Sequence, residues 1–269
     1  MLSMMSMVDG NNADFERKTL HSFASKNGYR VQYLPAFESD NHELETFQQL
    51  LRNHSPQPDL LEIDIIWPSI LSDDLVDLKP YFGDDIKSFP PELIRTFTIH
   101  GRLVAIPIYM DTGLLYYRSD LLKKYGFPRP PKTWDELESM AKVIQAGERH
   151  AGKKDFWGFV WQGEASEALT CNALEWFSSQ GGGHILEQDG TIRVCNRNAI
   201  RALERAESWI GTISPPGVIA YSEDDSLNVW QSGNAAFMRN WAYLYGSVRQ
   251  STGQIRDRFG VTMVPGGPQ

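Results

Sequence analysis

Apolar residues recur along this chain with two periods that take turns. In "DFERKTLHSFASKNG", Phe15, Thr19 and Phe23 fall about one helical turn apart on one face, and Gly28 follows as a stop. "YRVQYLP" then reads as a strand. "DNHELETFQQLLRN" returns to the helical period. Asp40 and Glu43 stand three apart, as in a capping box, and Leu44, Phe47 and Leu51 make the stripe. "DLLEIDIIWP" reads as a buried strand closed by Pro68. Strands alternating with helices predict a parallel or mixed sheet covered by helices.

A less regular stretch follows. "RLVAIPIYMDTGLLYYR" begins as a core strand with Leu103 to Ile106, is interrupted by Pro107, and carries Asp111 among three tyrosines. The helical period resumes in "PPKTWDELESMAKVIQAG", where Thr133 and Glu136 form a capping box. Leu137, Met140, Ala141 and Ile144 form its stripe, and Gly147 is expected just past its end. "FWGFVWQG" reads as a short aromatic strand, and "SEALTCNALEWFSSQGGG" as a helix stopped by three glycines. "NRNAIRALERAESWIG" predicts a helix with Ile200, Leu203, Ala206 and Ile210 inward. "NAAFMRNWAYLYG" reads as a strand running into an aromatic turn or helix, and "FGVTMVP" as the last strand. There is no repeat, low-complexity segment or Gly/Ser tether. Two lobes, if present, are therefore joined by strands, which suits hinge motion.

Composition narrows the function classes. The 269 residues suffice for one large or two ordinary domains of roughly 150 residues each. An apolar content of 41% against 22% charged predicts a sizeable core. With 26 basic and 34 acidic residues the net charge is -8, which argues against nucleic acid or an anionic membrane as partner. No run approaches the length of about 18 apolar residues that a transmembrane helix needs. The methionine-rich start "MLSMMSMVDGNN" lacks the features of a complete export signal. Cys171 sits in an apolar helical run and reads as an inert core thiol, while its pairing with Cys195 stays open.

Motifs for catalysis and cofactors are missing: there is no GxGxxG, GxxxxGK[ST], HExxH or GxSxG. The glycines at 181–183 follow a helix instead of preceding one, so they do not form a phosphate cradle. Six histidines are scattered without ligand spacing, so neither a metal site nor a cofactor is expected. Two carboxylates stand inside apolar runs, Asp64 in "EIDIIW" and Asp111 in "IYMDTG". Each either caps a neighbouring turn or sits at the carboxyl end of a strand, where open α/β sheets bind ligands. An acid pair of glycosidase type made of Asp64 and Asp111 is an alternative. Aromatics make up 12% of the chain, with eight tryptophans. Trp134, Trp176 and Trp209 read as core, whereas Trp67, Tyr109 and Trp241 stand in turn-like contexts. Flat rings beside acids or amides suit a pyranose, whose CH-lined faces stack and whose hydroxyls donate to carboxylates.

The blocks "RLVAIPIYMDTGLLYYRSDLLKKYGFPRPPKTWDELESMAKVIQAGER", "FWGFVWQGEASEALTCNALEW", "ISPPGV" and "SGNAAFMRNWAY" resemble the family 1 extracellular solute-binding proteins of ABC importers. Within them the chain looks most similar to the trehalose/maltose-binding group. The resemblance runs from about residue 14 to the end. It implies an α/β, two-lobe periplasmic-binding-protein fold (type II), lobes joined by crossing strands, with the C-terminal part missing. Residues 1–108 would form lobe 1, residues 109–240 a helix-rich lobe 2, and residues 241–269 a return segment towards lobe 1. "LSMMSMV" is the one candidate for the family's first strand. Ile106 to Asp111 would be the first crossing and Ala236 to Trp241 the return. Carried over by position, Asp64, Tyr109, Asp111 and Trp241 would bind sugar between the lobes, and Glu164 would reach the cleft rim. The function implied is a non-enzymatic, monomeric receptor. It would bind a di- or oligosaccharide of the α-glucoside kind and deliver it to an ABC permease, in the periplasm or anchored outside the cell.

Overall fold

A computed structural model of the protein describes residues 1–5, 10–34, 40–187, 190–250, 253 and 255–267, with backbone only for 10–14 and 40–41. Two compact units divide the chain, Met1–Met110 and Asp111–Gln269.

Unit 1 begins β1 (Leu2–Met5), α1 (Gly10–Asn27), β2 (Val31–Tyr33), α2 (Asp40–Arg52) and β3 (Leu60–Leu61). The strands form a parallel sheet in the order β2-β1-β3. Short helices α3 (Pro68–Leu71), α4 (Lys79–Phe82) and α5 (Pro91–Thr96) lead to a hairpin of β4 (Thr98–Ile99) and β5 (Arg102–Leu103). The core of this unit is small. Met5, Phe47, Trp67 and Leu71 make its buried cluster, with Phe47 and Trp67 meeting edge to face at 6.0 Å.

Unit 2 holds the larger core. Its elements are β6 (Gly113–Arg118), α6 (Ser119–Lys124), α7 (Trp134–His150), β7 (Trp157–Val160), α8 (Glu167–Ser179), α9 (Arg197–Trp209), α10 (Glu223–Gln231), β8 (Ala235–Trp241), α11 (Leu244–Gln250) and β9 (Phe259–Met263). The sheet runs β7-β8-β6-β9, with β8 parallel to β7 and antiparallel to β6. Neighbouring residues of β8 join different clusters: Phe237 packs with Trp134 and Trp209, Met238 with Tyr116 and Trp230. That is the alternation expected of a central strand buried on both faces. Trp134, Trp176 and Trp209 are core, as their sequence context predicts. Trp209 lies 5.5 Å from Trp134 and 5.7 Å from Trp176, ring centre to ring centre. Their polar edges are served too: Trp134 Nε1 donates to Ser179 Oγ at 2.8 Å and Trp209 Nε1 to Glu138 Oε1 at 2.9 Å.

Several expectations are corrected. Phe15 and Phe23 face outward, 75% and 55% exposed, and α1 buries Ala24 instead. The stretch around Asp64 pairs only through Leu60 and Leu61, and Ile65 and Ile66 are exposed. Of the strand expected over Leu103 to Ile106, only Arg102–Leu103 pairs, and residues 104–112 are neither helix nor strand. Helix α7 does not stop before Gly147 but continues to His150. Gly147 is there because a Cβ would lie 2.2 Å from the Tyr125 ring. On α9 the buried residues are Ala199, Ala202, Ala206 and Trp209, while Ile200 and Leu203 are 49% and 44% exposed. Small alanines let α9 approach closely, and that gain outweighs the larger aliphatic stripe one position away. Cys171 and Cys195, whose pairing the sequence leaves open, are both free thiols. After β8 the chain carries β9, which pairs antiparallel along β6. The proposed cap of Asp40 lies outside the described side chains.

Candidate functional site

Strand β8 carries Arg239, Asn240 and Trp241 at its end. Strand periodicity places Arg239 and Trp241 on one side and Asn240 on the other. Arg239 is 2% exposed, so its charge needs partners. Glu175 of α8 supplies them: Arg239 Nε donates to its two oxygens at 3.1 and 3.2 Å, and Nη2 closes the fork. Nη1 donates to Gln162 Oε1 at 3.3 Å, and the guanidinium carbon lies 3.9 Å from the Trp241 ring centre. Burial pushes the Glu175 carboxyl up, and Arg239 pulls it back only in part. Gln162, fully buried, also donates to Ser226 Oγ at 2.7 Å and to the Arg239 carbonyl at 2.9 Å.

The half-buried Trp241 ring is held at its polar edge as well, where Nε1 donates to Glu223 Oε1 at 3.0 Å. Glu223 opens α10 behind a capping box of Ser222 and Asp225. The Trp241 carbonyl accepts the Tyr116 hydroxyl at 2.7 Å. One residue on, the Ala242 N–H donates to Asp111 Oδ1 at 3.0 Å, and Thr112 N–H donates to the same oxygen at 2.8 Å. Asp111 is exposed. Burial, with Asp111 nearby, pushes the Tyr116 phenol up.

Of the residues expected at the site, Asp111 and Trp241 are thus brought together. Asp64 belongs to unit 1, three residues past β3, where it is half-buried and its Oδ1 accepts Ile66 N–H at 3.0 Å. Burial raises its carboxyl. Tyr109 is 61% exposed in the irregular stretch 104–112. Glu164 is exposed after β7, and its N–H donates to the Tyr221 carbonyl at 3.1 Å. Among the described residues no group of three His, Cys, Asp or Glu could hold a metal ion. No helix there is long and apolar enough to cross a membrane.

Arg239, Glu175, Gln162 and Glu223 were not anticipated. A faint signal exists for the first two, since each is a charge inside an apolar element, "AAFMRNW" and "ALEWF". Pairing them needs the third dimension.

The sequence profile of bacterial extracellular solute-binding proteins matches residues 12–269. The chain belongs to that family. The solute-binding protein is 42% identical over 260 residues to a "Probable ABC transporter-binding protein" of Deinococcus radiodurans, covering 96% of this chain and 62% of that one. It thus spans less than two thirds of that relative's length. Among solved structures, maltose-bound MalE3 of T. maritima is 35% identical with a TM-score of 0.89, over 99% of this chain and 68% of that one. The GacH receptor of Streptomyces glaucescens, solved unliganded and with acarbose, shares the fold at 20% identity and a TM-score of 0.82, over 99% and 66% of the two chains. The solute-binding protein has the type II periplasmic-binding-protein fold, mixed α/β.

Proposed function

We propose that this chain is the substrate-binding component of an ABC carbohydrate importer. It binds a di- or oligosaccharide of the trehalose/maltose kind and delivers it to the membrane permease, without chemistry. Its place is periplasmic, or outside the cell on a membrane anchor, and it acts as a monomer. The observation that carries this reading is the Trp241 ring. Its edge is fixed by Glu223, and one residue on the exposed Asp111 carboxylate holds the Ala242 N–H, so an aromatic platform and a carboxylate able to accept hydroxyls meet at this end of β8. The 35% identity to a maltose-bound relative supports the ligand class. Asp64, Tyr109, Asp111, Trp241 and Glu164 are the residues through which it would hold the sugar.

The test is calorimetric titration of the chain with maltose and with trehalose, followed by chromatography of each mixture. Heat of binding with sugar recovered intact is the expected result. Hydrolysis products would instead favour an enzyme using Asp64 and Asp111. Absence of heat with both sugars would overturn the proposed ligand.

A further inference from the structure

We propose that Arg239 is the positioning residue for Trp241, and that its ion pair with Glu175 turns the indole into a one-sided platform. This rests on the sugar-binding reading above. Arg239 does not touch the sugar itself and acts through the ring. Its guanidinium lies 3.9 Å from the ring centre, so that side of the indole is taken. The planar fork is itself locked by Glu175 and Gln162, and both partners come from outside β8. Glu223 holds the indole edge at 3.0 Å. The ring is therefore restrained on one side and at its N–H, and only its remaining side is left for a sugar. Pre-ordering of this kind lowers the entropy lost on binding. Lysine could not substitute, because a point charge neither stacks flat nor forks onto a carboxylate.

A double-mutant cycle on the full chain tests this, with maltose as probe. Because Arg239→Met alone strands the Glu175 carboxylate, the paired variant Arg239→Met with Glu175→Gln is the working form. In the native background it is expected to weaken maltose binding roughly 3- to 10-fold, the range of one cation–π contact. In a Trp241→Ala background the same pair should change affinity less than about 2-fold, since the ring it positions is gone. Equal losses in both backgrounds would overturn the proposal. A second reading needs no ligand. The indole N–H resonance of Trp241, identified by its loss in Trp241→Phe, should shift in the paired variant and in Arg239→Lys. An unmoved resonance in Arg239→Lys would also overturn it. If the native chain binds neither maltose nor trehalose, the sugar reading falls, and the indole resonance alone decides whether Arg239 positions the ring.

Discussion

Gly113 lies directly opposite Trp241 across the β6–β8 ladder, beneath the Arg239–Glu175 pair. A Cβ at position 113 would stand 2.1 Å from Glu175 Oε1 and 2.4 Å from Arg239 Nη2. Gly113→Ala is therefore expected to destabilise the protein by about 1–3 kcal/mol, the usual cost of overpacking. It should also weaken maltose binding, because the pair behind Trp241 must shift. A thermal melt and a titration together check this. An unchanged midpoint would mean the pair yields freely.

Trp241→Ala should weaken sugar binding by about 1–3 kcal/mol, the loss of an aromatic anchor. Asp111→Ala should cost a similar amount, part of it through the turn that its contact with Ala242 N–H holds. Titration with maltose measures both. If neither variant differs from the native chain, the site lies elsewhere.

The orientation of α9 can be checked by stability. Trp209 is 2% exposed with its N–H on Glu138, so Trp209→Ala should cost about 3–5 kcal/mol. Ile200 is 49% exposed, and Ile200→Ala should stay within about 0.5 kcal/mol. Denaturant titration of both variants distinguishes this helix from one rotated to bury Ile200 and Leu203.

Glu148 predicts an acid limb of stability. Burial by itself would raise its carboxyl, but hydrogen bonds from Lys124, Lys153 and Tyr125 outweigh that and hold it at about 2. A carboxyl lowered on folding stabilises fully above its unfolded value of about 4.3, and that contribution is lost as pH falls towards the folded value. The native melting temperature should therefore drop more between about pH 5 and pH 2.5 than that of Glu148→Gln. Parallel slopes for the two proteins would refute this.

The sequence by itself determined most of the elements and the family. Period and capping predict α7, glycines mark the stop after α8, and the tryptophans in apolar helices are recognisable as core. These features depend on residues within a turn or two of one another, and local chemistry is written in order along the chain. It also placed Asp111 and Trp241 in suspicion, since a carboxylate and a ring at strand ends are unusual neighbours for apolar residues. Where two faces competed, local pattern misled. On α9 the aliphatic stripe lost to the alanine face, and at Gly147 an expected stop became a contact with Tyr125, both decided by what packs opposite.

Only the tertiary structure decided the partners of Arg239. Glu175 is 64 residues away and Gln162 is 77. Nothing in the local sequence links them, because a buried charge selects its counter-charge by proximity in space. Likewise Asp111 meets Ala242 across 131 residues, and only pairing of β6 with β8 brings the two together.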